Sequence, residues 1–345
     1  MKKAVLPTRE RLLSVIESLR GRRLLVLADL VADEFVFGRI QRVSREAPVL
    51  ILQYDGADVR LGGGANAVHN IRTLGGTPIP FGVVGRDAHG QRLKALLRAK
   101  RIDVRRVVSE PAYATPVKTR ILAGGAHSTR QQIVRIDRVT GIADASRAPE
   151  RLLRALREFR GRVDGVLVSD YGFGLLTPKV VEAAIAFARR RRIPVTVDSR
   201  YGILAFRGMT AATPNEPEVE AALGIAIGHD RARLEAAGRT LLRRLGVSAV
   251  LITRGSHGMA LFEPGVAPLH IPIHGSDQVA DVTGAGDTVI ASFTLALAAG
   301  ASAAEASLLS NVAGGIVVMK SGTATVSAAE LKAAVAAGAG PSVRA

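Results

Sequence analysis

Four short apolar runs, each with a polar side chain at or next to its last position, most constrain the fold of this chain. They lie at residues 22–30, 164–170, 193–198 and 247–253. Continuous apolar runs of this kind are typical of parallel strands that are buried on both faces. A basic segment with helical character precedes each run, so strands and helices alternate. The pattern predicts an α/β fold with a doubly wound sheet and helices on both faces. Ligands of such sheets bind beyond the carboxyl ends of the strands, where we expect Asp29, Asp170, Asp198 and Thr253.

Two stretches lack this alternation and show the two-residue spacing of β-strands instead. They cover about 35–61 and 113–137 and contain turn signals without a helical period. We predict that they pair as a small β-sheet beside the ligand-binding edge. Such a sheet would act as a lid that excludes water when substrate binds, or as a fixed flap without motion. The whole chain, 1–345, is predicted to be a single domain that contains this lid.

The charge balance indicates anionic partners. The chain carries 47 Lys and Arg against 30 Asp and Glu, a formal net charge of +17. The arginines are spread through predicted helices, so solvated helix faces explain them better than a nucleic-acid-binding stripe. With 4% aromatic residues and no Trp, a platform that stacks single-stranded nucleic acid is disfavoured. A small phosphorylated substrate is an anion and would also suit this positive net charge. We expect no nucleic-acid partner.

The cysteine count and the hydropathy exclude other classes of protein. The chain contains no cysteine, so it has no disulfide framework, thiolate nucleophile or cysteine-ligated metal site. A reducing cytoplasm is therefore the expected location. The longest uncharged stretch, 288–304, is shorter than the ~20 apolar residues of a membrane-spanning helix. We expect a buried helix there and no membrane partner.

The string DVTGAGD at 281–287 is the most specific motif in the sequence. Its residues Gly284, Ala285 and Gly286 precede an apolar helical segment, so their N–H groups would point outward at the positive end of the helix dipole. That arrangement predicts an anion hole. Asp287 would lie beside the anion, which indicates a proton acceptor for an attacking hydroxyl. The alternative is an acid that caps the helix and compensates its dipole.

This string matches the C-terminal signature of the PfkB, or ribokinase-like, family of carbohydrate kinases. The segment GGGAN at 62–66 resembles the family's other signature, and the two motifs stand in the family's order. The similarity extends over about 24–335. It implies a ribokinase-like, Rossmann-type domain with a small β lid, in agreement with the pattern above. It also implies transfer of the γ-phosphoryl group of ATP to a sugar hydroxyl.

The resemblance assigns roles on the sugar side of the site. The catalytic base would be Asp287. The residues that would hold the transferred phosphoryl group are Gly284, Ala285 and Gly286. Those that would bind the sugar are Asp33, Gly62, Gly63 and Asn66. For the glycines taken singly, turn formation is the alternative interpretation.

On the nucleotide side, the segment 213–218 resembles the family's N-x-x-E motif. Its Asn215 and Glu218 would help to place Mg²⁺ and phosphate, with the metal bound through water. A capping box at a helix start is the alternative, and both roles can hold together. The other nucleotide-binding residues that the resemblance implies are Thr253, Gly255 and Asn311.

A monovalent cation is a further implied cofactor. Asp281 and the loop 320–327 resemble segments that hold such a cation in many family members, so K⁺ joins ATP and Mg²⁺ as a candidate. A turn-forming role for Asp281 is the alternative.

Within the family, the chain most resembles the heptose 7-phosphate kinases. The similarity lies in segments 28–49, 169–174, 281–300 and 322–327. These enzymes phosphorylate the anomeric hydroxyl of a heptose that already carries a phosphate, so basic groups for that second phosphate are needed.

Two positions depart from the subgroup's pattern. Phe173 stands where a lysine is common, and the string DSR at 198–200 replaces a DPK-like string. Arg200 can bind a phosphate through two hydrogen bonds, whereas Phe173 cannot.

We therefore expect an ATP-dependent carbohydrate kinase similar to D-glycero-β-D-manno-heptose 7-phosphate 1-kinases. The alternatives are another sugar kinase of the family, like ribokinase or fructokinase, and a non-enzymatic protein that binds nucleic acid or senses a sugar. A Rossmann dehydrogenase is disfavoured because no GxGxxG motif follows the first strand. Expected partners are the sugar or sugar phosphate, ATP and a second copy of the chain, because exposed lid strands need covering.

Overall fold

The computed structural model describes residue 2 and residues 5–124, 130–143, 146–275 and 281–338. The strands in this part of the chain are β1 (Arg23–Ala28), β2 (Leu30–Val43), β3 (Leu50–Gly63), β4 (Thr77–Gly85), β5 (Val107–Glu110), β6 (Val117–Gly124), β7 (Gln131–Arg138), β8 (Gly165–Asp170), β9 (Val195–Ser199), β10 (Ala211–Ala212), β11 (Ala249–Thr253), β12 (Met259–Phe262) and β13 (Leu269–Ile271). The helices are α1 (Arg9–Ser18), α2 (Gly64–Thr73), α3 (Ala88–Ala99), α4 (Ala148–Glu158), α5 (Pro178–Arg191), α6 (Glu216–Leu223), α7 (Arg231–Leu245), α8 (Ala285–Ala298), α9 (Ala303–Val318) and α10 (Ala328–Ala336).

A central sheet with the strand order β13-β12-β11-β10-β9-β8-β1-β4-β5 organises the fold. The strands from β11 to β5 run parallel, and β12 and β13 add an antiparallel edge. Three of the four apolar runs contain β1, β8 and β11, as predicted, and the run at 193–198 contains β9 except for its last residue, Ser199.

The sheet is covered by helices on both faces, which confirms the doubly wound arrangement. Alternate residues of β1 enter different hydrophobic cores: Leu24 belongs to one core and Leu25 to the other, and both are fully buried. The first core is built with α1, α2, α3, α8, α9 and α10, and the second with α4, α5 and α7. A strand between two such cores has no polar face, which explains the continuous apolar runs.

A separate four-stranded sheet has the order β3-β2-β6-β7. It forms from the two stretches with β-type spacing, but β2 begins at Leu30 and β3 ends at Gly63, beyond the predicted limits. The reason is burial: the first four residues of β2 pack in the core, whereas its last five are exposed. Residues 125–129 of the second predicted stretch lie outside the described part of the chain. We call the four-stranded sheet the lid sheet.

The chain order places a crevice at the carboxyl end of β1. One neighbour of β1 is β4 and the other is β8, so the chain leaves β1 in one direction and later returns on its other side. Such a switch point is where ligands bind in open α/β sheets. Asp29 follows β1 there and Asp170 ends β8.

Helix α8 contains most of the long uncharged stretch and is almost wholly buried, as expected. No helix in the described ranges is long and apolar enough to cross a membrane.

Candidate functional site

Two cavities lie at the carboxyl edge of the central sheet. The larger cavity has a volume of about 600 Å³ and is lined by carboxylates and basic groups together. The carboxylates are those of Asp33, Asp170, Asp198, Glu218 and Asp287, and the basic side chains are those of Lys118, Arg120 and Arg200. The lid sheet supplies Asp33, Lys118 and Arg120 to this lining. This mixture of charges suits a polar ligand rather than an apolar one.

The smaller cavity has a volume of about 180 Å³. Its walls include the apolar side chains Met259, Ile273 and Val289, together with the predicted nucleotide-binding residues Thr253, Gly255 and Asn311. The amide of Asn311 donates a 2.8 Å hydrogen bond to the carbonyl of Pro272. Val282 and Gly286 line both cavities, so the two spaces meet at the start of α8.

Two glycines at the start of α8, Gly284 and Gly286, have different structural roles. Gly284 precedes the helix in the left-handed region, with φ of 77°, and a Cβ there would collide with the Asn66 amide. Gly286 is helical, and a Cβ there would meet no atom within 4 Å because it would point into open space. The first N–H groups of a helix have no intrahelical acceptor, so this open face can receive an anion.

Asp287 lies in the first turn of α8 and is only 4% exposed. Its Oδ1 accepts a 2.7 Å hydrogen bond from the Tyr171 hydroxyl, and its Oδ2 accepts a 3.2 Å bond from the Asn66 amide. Burial raises the pKa of Asp287 to about 7, although the two hydrogen bonds act in the opposite direction. A carboxylate that titrates near neutral pH is well suited to accept a proton from a hydroxyl.

The Asp33 carboxylate accepts hydrogen bonds from two elements, the lid sheet and the loop before α10. Its Oδ1 accepts a 2.7 Å bond from the Arg120 guanidinium, and its Oδ2 accepts a 2.6 Å bond from the Thr323 hydroxyl. A Cβ on Gly62 would lie 2.5 Å from the Asp33 carboxyl carbon, so glycine is needed for this close approach.

The four predicted sugar-binding residues occupy different positions. Asp33 and Gly63 line the larger cavity. Gly62 packs against Asp33, and Asn66 donates hydrogen bonds to Asp287 and to the Gly284 carbonyl. Direct sugar contact by Gly62 and Asn66 stays a prediction, and the structure gives both a supporting position.

Asn215 and Glu218 form the capping box that the sequence offered as an alternative, and both also line the larger cavity. The Asn215 side chain accepts from the Glu218 N–H, and the Glu218 carboxylate accepts from the Asn215 N–H, each at 2.9 Å. Burial raises the pKa of Glu218. Burial and the nearby Glu218 carboxylate also raise the pKa of Asp198. Two carboxylates that disfavour each other's charge form a site that a cation would stabilise.

The Asp281 side chain links the DVTGAGD motif at 281–287 to the loop after α9 through hydrogen bonds. Its Oδ1 accepts from the Thr283 N–H at 2.8 Å, and its Oδ2 accepts from the Gly322 N–H at 3.0 Å. The turn-forming role is therefore present, and a bound monovalent cation stays a prediction.

Phe173, the first departure from the subgroup's pattern, is buried away from the larger cavity. Its ring centre lies 6.1 Å from that of Tyr171, and its N–H donates to Oδ2 of the buried Asp29 at 3.4 Å. The Tyr171 N–H donates to the same oxygen at 2.8 Å. Burial, followed by the nearby Asp170, raises the pKa of Asp29 to about 7.

The sequence analysis did not predict Lys118, Arg120 or Tyr171 as residues of the site. The Lys118 ammonium lies 4.9 Å from the centre of the Tyr171 ring, and both residues line the larger cavity. Burial, and then the positive charge of Arg200, lower the pKa of Lys118. The position of Tyr171 directly after the strand end at Asp170 was the available signal for the tyrosine. For Lys118, no local signal distinguished it from other polar residues in a β-type stretch.

Comparison with known proteins agrees with this geometry. Residues 31–330 match the family described as pfkB family carbohydrate kinase. The protein named "Bifunctional protein HldE" from Geobacter metallireducens is 43% identical over 324 residues, which are 94% of this chain and 65% of that protein. The protein of the same name from Caulobacter vibrioides is 40% identical over 91% of this chain and 63% of its own length. The chain thus spans less than two thirds of these relatives.

Solved structures share the fold at lower identity. Phosphofructokinase-2 from Escherichia coli, in complex with potassium, superposes with a TM-score of 0.71 at 18% identity, covering 92% of this chain and 99% of that one. Ribokinase from Arabidopsis thaliana, complexed with ribose and ATP, gives 0.67 at 21% identity, covering 92% and 98%. The fold is therefore ribokinase-like, as the sequence predicted.

Proposed function

The chain belongs to the pfkB family of carbohydrate kinases and is a phosphotransferase that acts on a sugar hydroxyl; on that premise, we propose that its substrate is a heptose 7-phosphate. ATP would be the donor and the anomeric hydroxyl the acceptor. The relatives named HldE and the similar segments of the sequence support this substrate over ribose or fructose. A non-enzymatic role is disfavoured because Asp287, Gly286 and both cavities are present.

The observation that carries the proposed substrate class is the pair of cations in the larger cavity. Lys118 comes from the lid sheet and Arg200 follows β9, and both side chains line the larger cavity. A phosphate bound between them would accept a charge-assisted hydrogen bond from each. Lys118 would thus supply a cation that Phe173 cannot provide.

The two cavities suit different parts of the reaction. The smaller, more apolar cavity would hold the adenosine of ATP, beside Thr253, Gly255 and Asn311. The γ-phosphoryl group would then lie at Gly284–Gly286, where the cavities meet. The N–H groups at this point would stabilise the negative charge of the group in transfer.

In the chemical step, the sugar hydroxyl oxygen would form a bond to the γ-phosphorus while the bond from that phosphorus to the departing ADP oxygen breaks. The hydroxyl proton would pass to Asp287. Asp33 and Gly63 would position the sugar from the lid side.

The residues present fit a magnesium ion that is held through water and phosphate oxygens. No cluster of three or more metal-binding side chains occurs in the described part of the chain. Hard oxygen ligands suit Mg²⁺, which usually keeps several waters and needs few protein carboxylates. Glu218, with Asn215 and Asp198, would hold it. When bound, Mg²⁺ would neutralise charge on the phosphates.

The oligomeric state and the cellular location are also part of this proposal. We expect a cytoplasmic homodimer whose lid sheets pack together, because this sheet exposes apolar side chains that a partner would cover. These side chains are Ile40, Val43, Leu50, Tyr54, Ile133, Val134 and Ile136. K⁺ near Asp281 would be an activating ion.

The substrate assignment can be tested by measuring ADP release with Mg²⁺-ATP and a panel of sugars. The panel contains heptose 7-phosphate, the unphosphorylated heptose, ribose, fructose and fructose 6-phosphate. We expect the highest kcat/KM with heptose 7-phosphate and a product phosphorylated at the anomeric position by ³¹P NMR. Asp287→Asn should lower kcat roughly a hundredfold to ten-thousandfold and leave a measurable residual rate. A preference for ribose or for the unphosphorylated heptose would overturn the assignment.

The cation pair can be tested separately. Lys118→Met and Arg200→Met should each raise KM for heptose 7-phosphate roughly tenfold to a hundredfold, because each removes a charged hydrogen-bond donor. KM for ATP should stay the same. Arg190→Met, on the exposed surface of α5, is the matched control. Equal losses with phosphorylated and unphosphorylated sugars would contradict the phosphate-binding role.

A further inference from the structure

The Tyr171 hydroxyl is hydrogen-bonded to Asp287, the residue proposed to accept the proton of the sugar hydroxyl. It donates to Oδ1 of Asp287 at 2.7 Å, the shorter of the two side-chain hydrogen bonds to this carboxylate. Asn66 occupies Oδ2 from the other side at 3.2 Å. The carboxylate is therefore held at both oxygens, and each oxygen keeps a further lone pair for the acceptor hydroxyl.

The Tyr171 ring is itself fixed by several elements. The Tyr171 backbone N–H donates a hydrogen bond to the buried Asp29 carboxylate. The Lys118 ammonium lies against one face of the Tyr171 ring. A Cβ on Gly63 would be 3.2 Å from the ring edge, so β3 also packs closely against it. A donor held this firmly can fix the rotamer of its acceptor, because little freedom remains on either side.

From this geometry, we propose that Tyr171 is a positioning residue for catalysis: its hydroxyl sets the orientation of the Asp287 carboxylate for proton transfer from the sugar hydroxyl. The inference rests on the proposed role of Asp287 as the base. Tyr171 acts through Asp287, and the reaction itself needs no transfer of the phenol proton.

The hydrogen bond has a second effect, on the ionisation of the base. A donor to a carboxylate favours the charged form, so Tyr171 keeps the pKa of Asp287 from rising further with burial. Other charged groups face this carboxylate as well: Asp33 on β2 raises its pKa and Lys118 on β6 lowers it. The pKa of Tyr171 itself is raised by burial and by the carboxylates of Asp287, Asp198 and Asp33, so the phenol stays protonated and donates.

The test is Tyr171→Phe, which removes the hydroxyl and keeps the ring contacts. We expect kcat to fall roughly tenfold to a hundredfold, as for the loss of a hydrogen bond to a charged group. The acidic limb of the pH profile of kcat should move to higher pH, and KM for ATP should be unchanged. Tyr113→Phe is the matched control, because it removes another buried tyrosine hydroxyl outside both cavities.

A double-mutant comparison separates this inference from the proposed function. In an Asp287→Asn background, Tyr171→Phe should cause no additional loss, because the two groups act as one unit. If Asp287→Asn lowers kcat as expected while Tyr171→Phe keeps the wild-type kcat and pH profile, the Tyr171 inference is wrong and the kinase assignment stands. If Asp287→Asn keeps its turnover, the assigned base itself is wrong.

A second variant covers the case in which Tyr171→Phe does not fold. Fluorotyrosine introduced at 171 makes the phenol a stronger donor while the ring is retained. The acidic limb should then move to lower pH. An unchanged limb would overturn the proposal.

Discussion

Arg120 and Asp33 form an ion pair inside the lid sheet, with 2.7 Å between Nη1 and Oδ1. The two side chains are only 8% and 4% exposed. The pair joins β6 to the residue that β2 presents to the larger cavity, and Thr323 completes it from the loop before α10. The acid expected to bind sugar hydroxyls is therefore already oriented by the protein's own groups.

Removing one member of the Arg120–Asp33 ion pair should lower the stability of the fold, because the other buried charge is left without its partner. We expect Arg120→Met to lower the free energy of unfolding by about 3–5 kcal/mol, measured by urea denaturation. The double variant Arg120→Met/Asp33→Leu should recover part of the loss. The exposed pair of Arg39 and Asp55 is the control, since Arg39→Met should cost at most about 1 kcal/mol. Equal losses at both pairs would show that burial does not matter here.

Gly286→Ala should separate phosphate binding from stability. The new methyl group meets no protein atom, and alanine favours a helix over glycine, so the melting temperature should not fall. The methyl group would enter the space where the cavities meet, and kcat/KM for ATP should fall roughly a hundredfold. Gly284→Ala is the contrasting variant, because its left-handed backbone and the nearby Asn66 should make it unstable. Undiminished ATP use by a folded Gly286→Ala enzyme would contradict the anion hole.

The activity should depend on pH through Asp287. Burial raises the pKa of this carboxyl group to about 7, and only the ionised form accepts a proton. The rate constant kcat should therefore fall about tenfold for each pH unit below about 7 and level off above it. The second ionisation of a phosphate lies near pH 6, so kcat at saturating substrate is the measurement to follow. A rate that stays constant down to pH 5 would exclude Asp287 as the base.

The lid sheet should carry the dimer contact. Tyr54 and Ile136 are 67% and 49% exposed on it. We expect light scattering to find a dimer for the wild-type protein and a monomer for Tyr54→Glu/Ile136→Glu, because the charges would have to be buried. Ile225→Glu, an exposed apolar residue next to the end of α6, is the control and should remain dimeric. A wild-type monomer at micromolar concentration would contradict this arrangement.

The sequence predicted the features that are encoded locally. The runs that became β1, β8, β9 and β11 are apolar throughout because both faces are buried, and the glycines at 284 and 286 mark a helix start. Strand β4 lacked such a signal, because Pro78 and Pro80 are unusual in a central strand. The structure shows why they are tolerated: β5 pairs with β4 only from Gly82 onward, so residues 77–81 form an edge on that side.

The contacts that complete the candidate site were not predictable in this way. Lys118 reaches the Tyr171 ring from a different sheet, and Tyr171 reaches Asp287 across 116 residues of sequence. Each partner has an ordinary local context, so only the packing of distant elements reveals the relationship. The capping box at Asn215 was visible because both partners lie within one helical turn.

The bond from Asn66 on α2 to Asp287 on α8 spans 221 residues. During synthesis, the early helix therefore leaves the ribosome long before its acidic partner exists. A nascent chain that stops short of α8 would have most of the parallel sheet but would lack the proposed base. On the proposed role of Asp287, ATP turnover would therefore begin only after α8 has been synthesised.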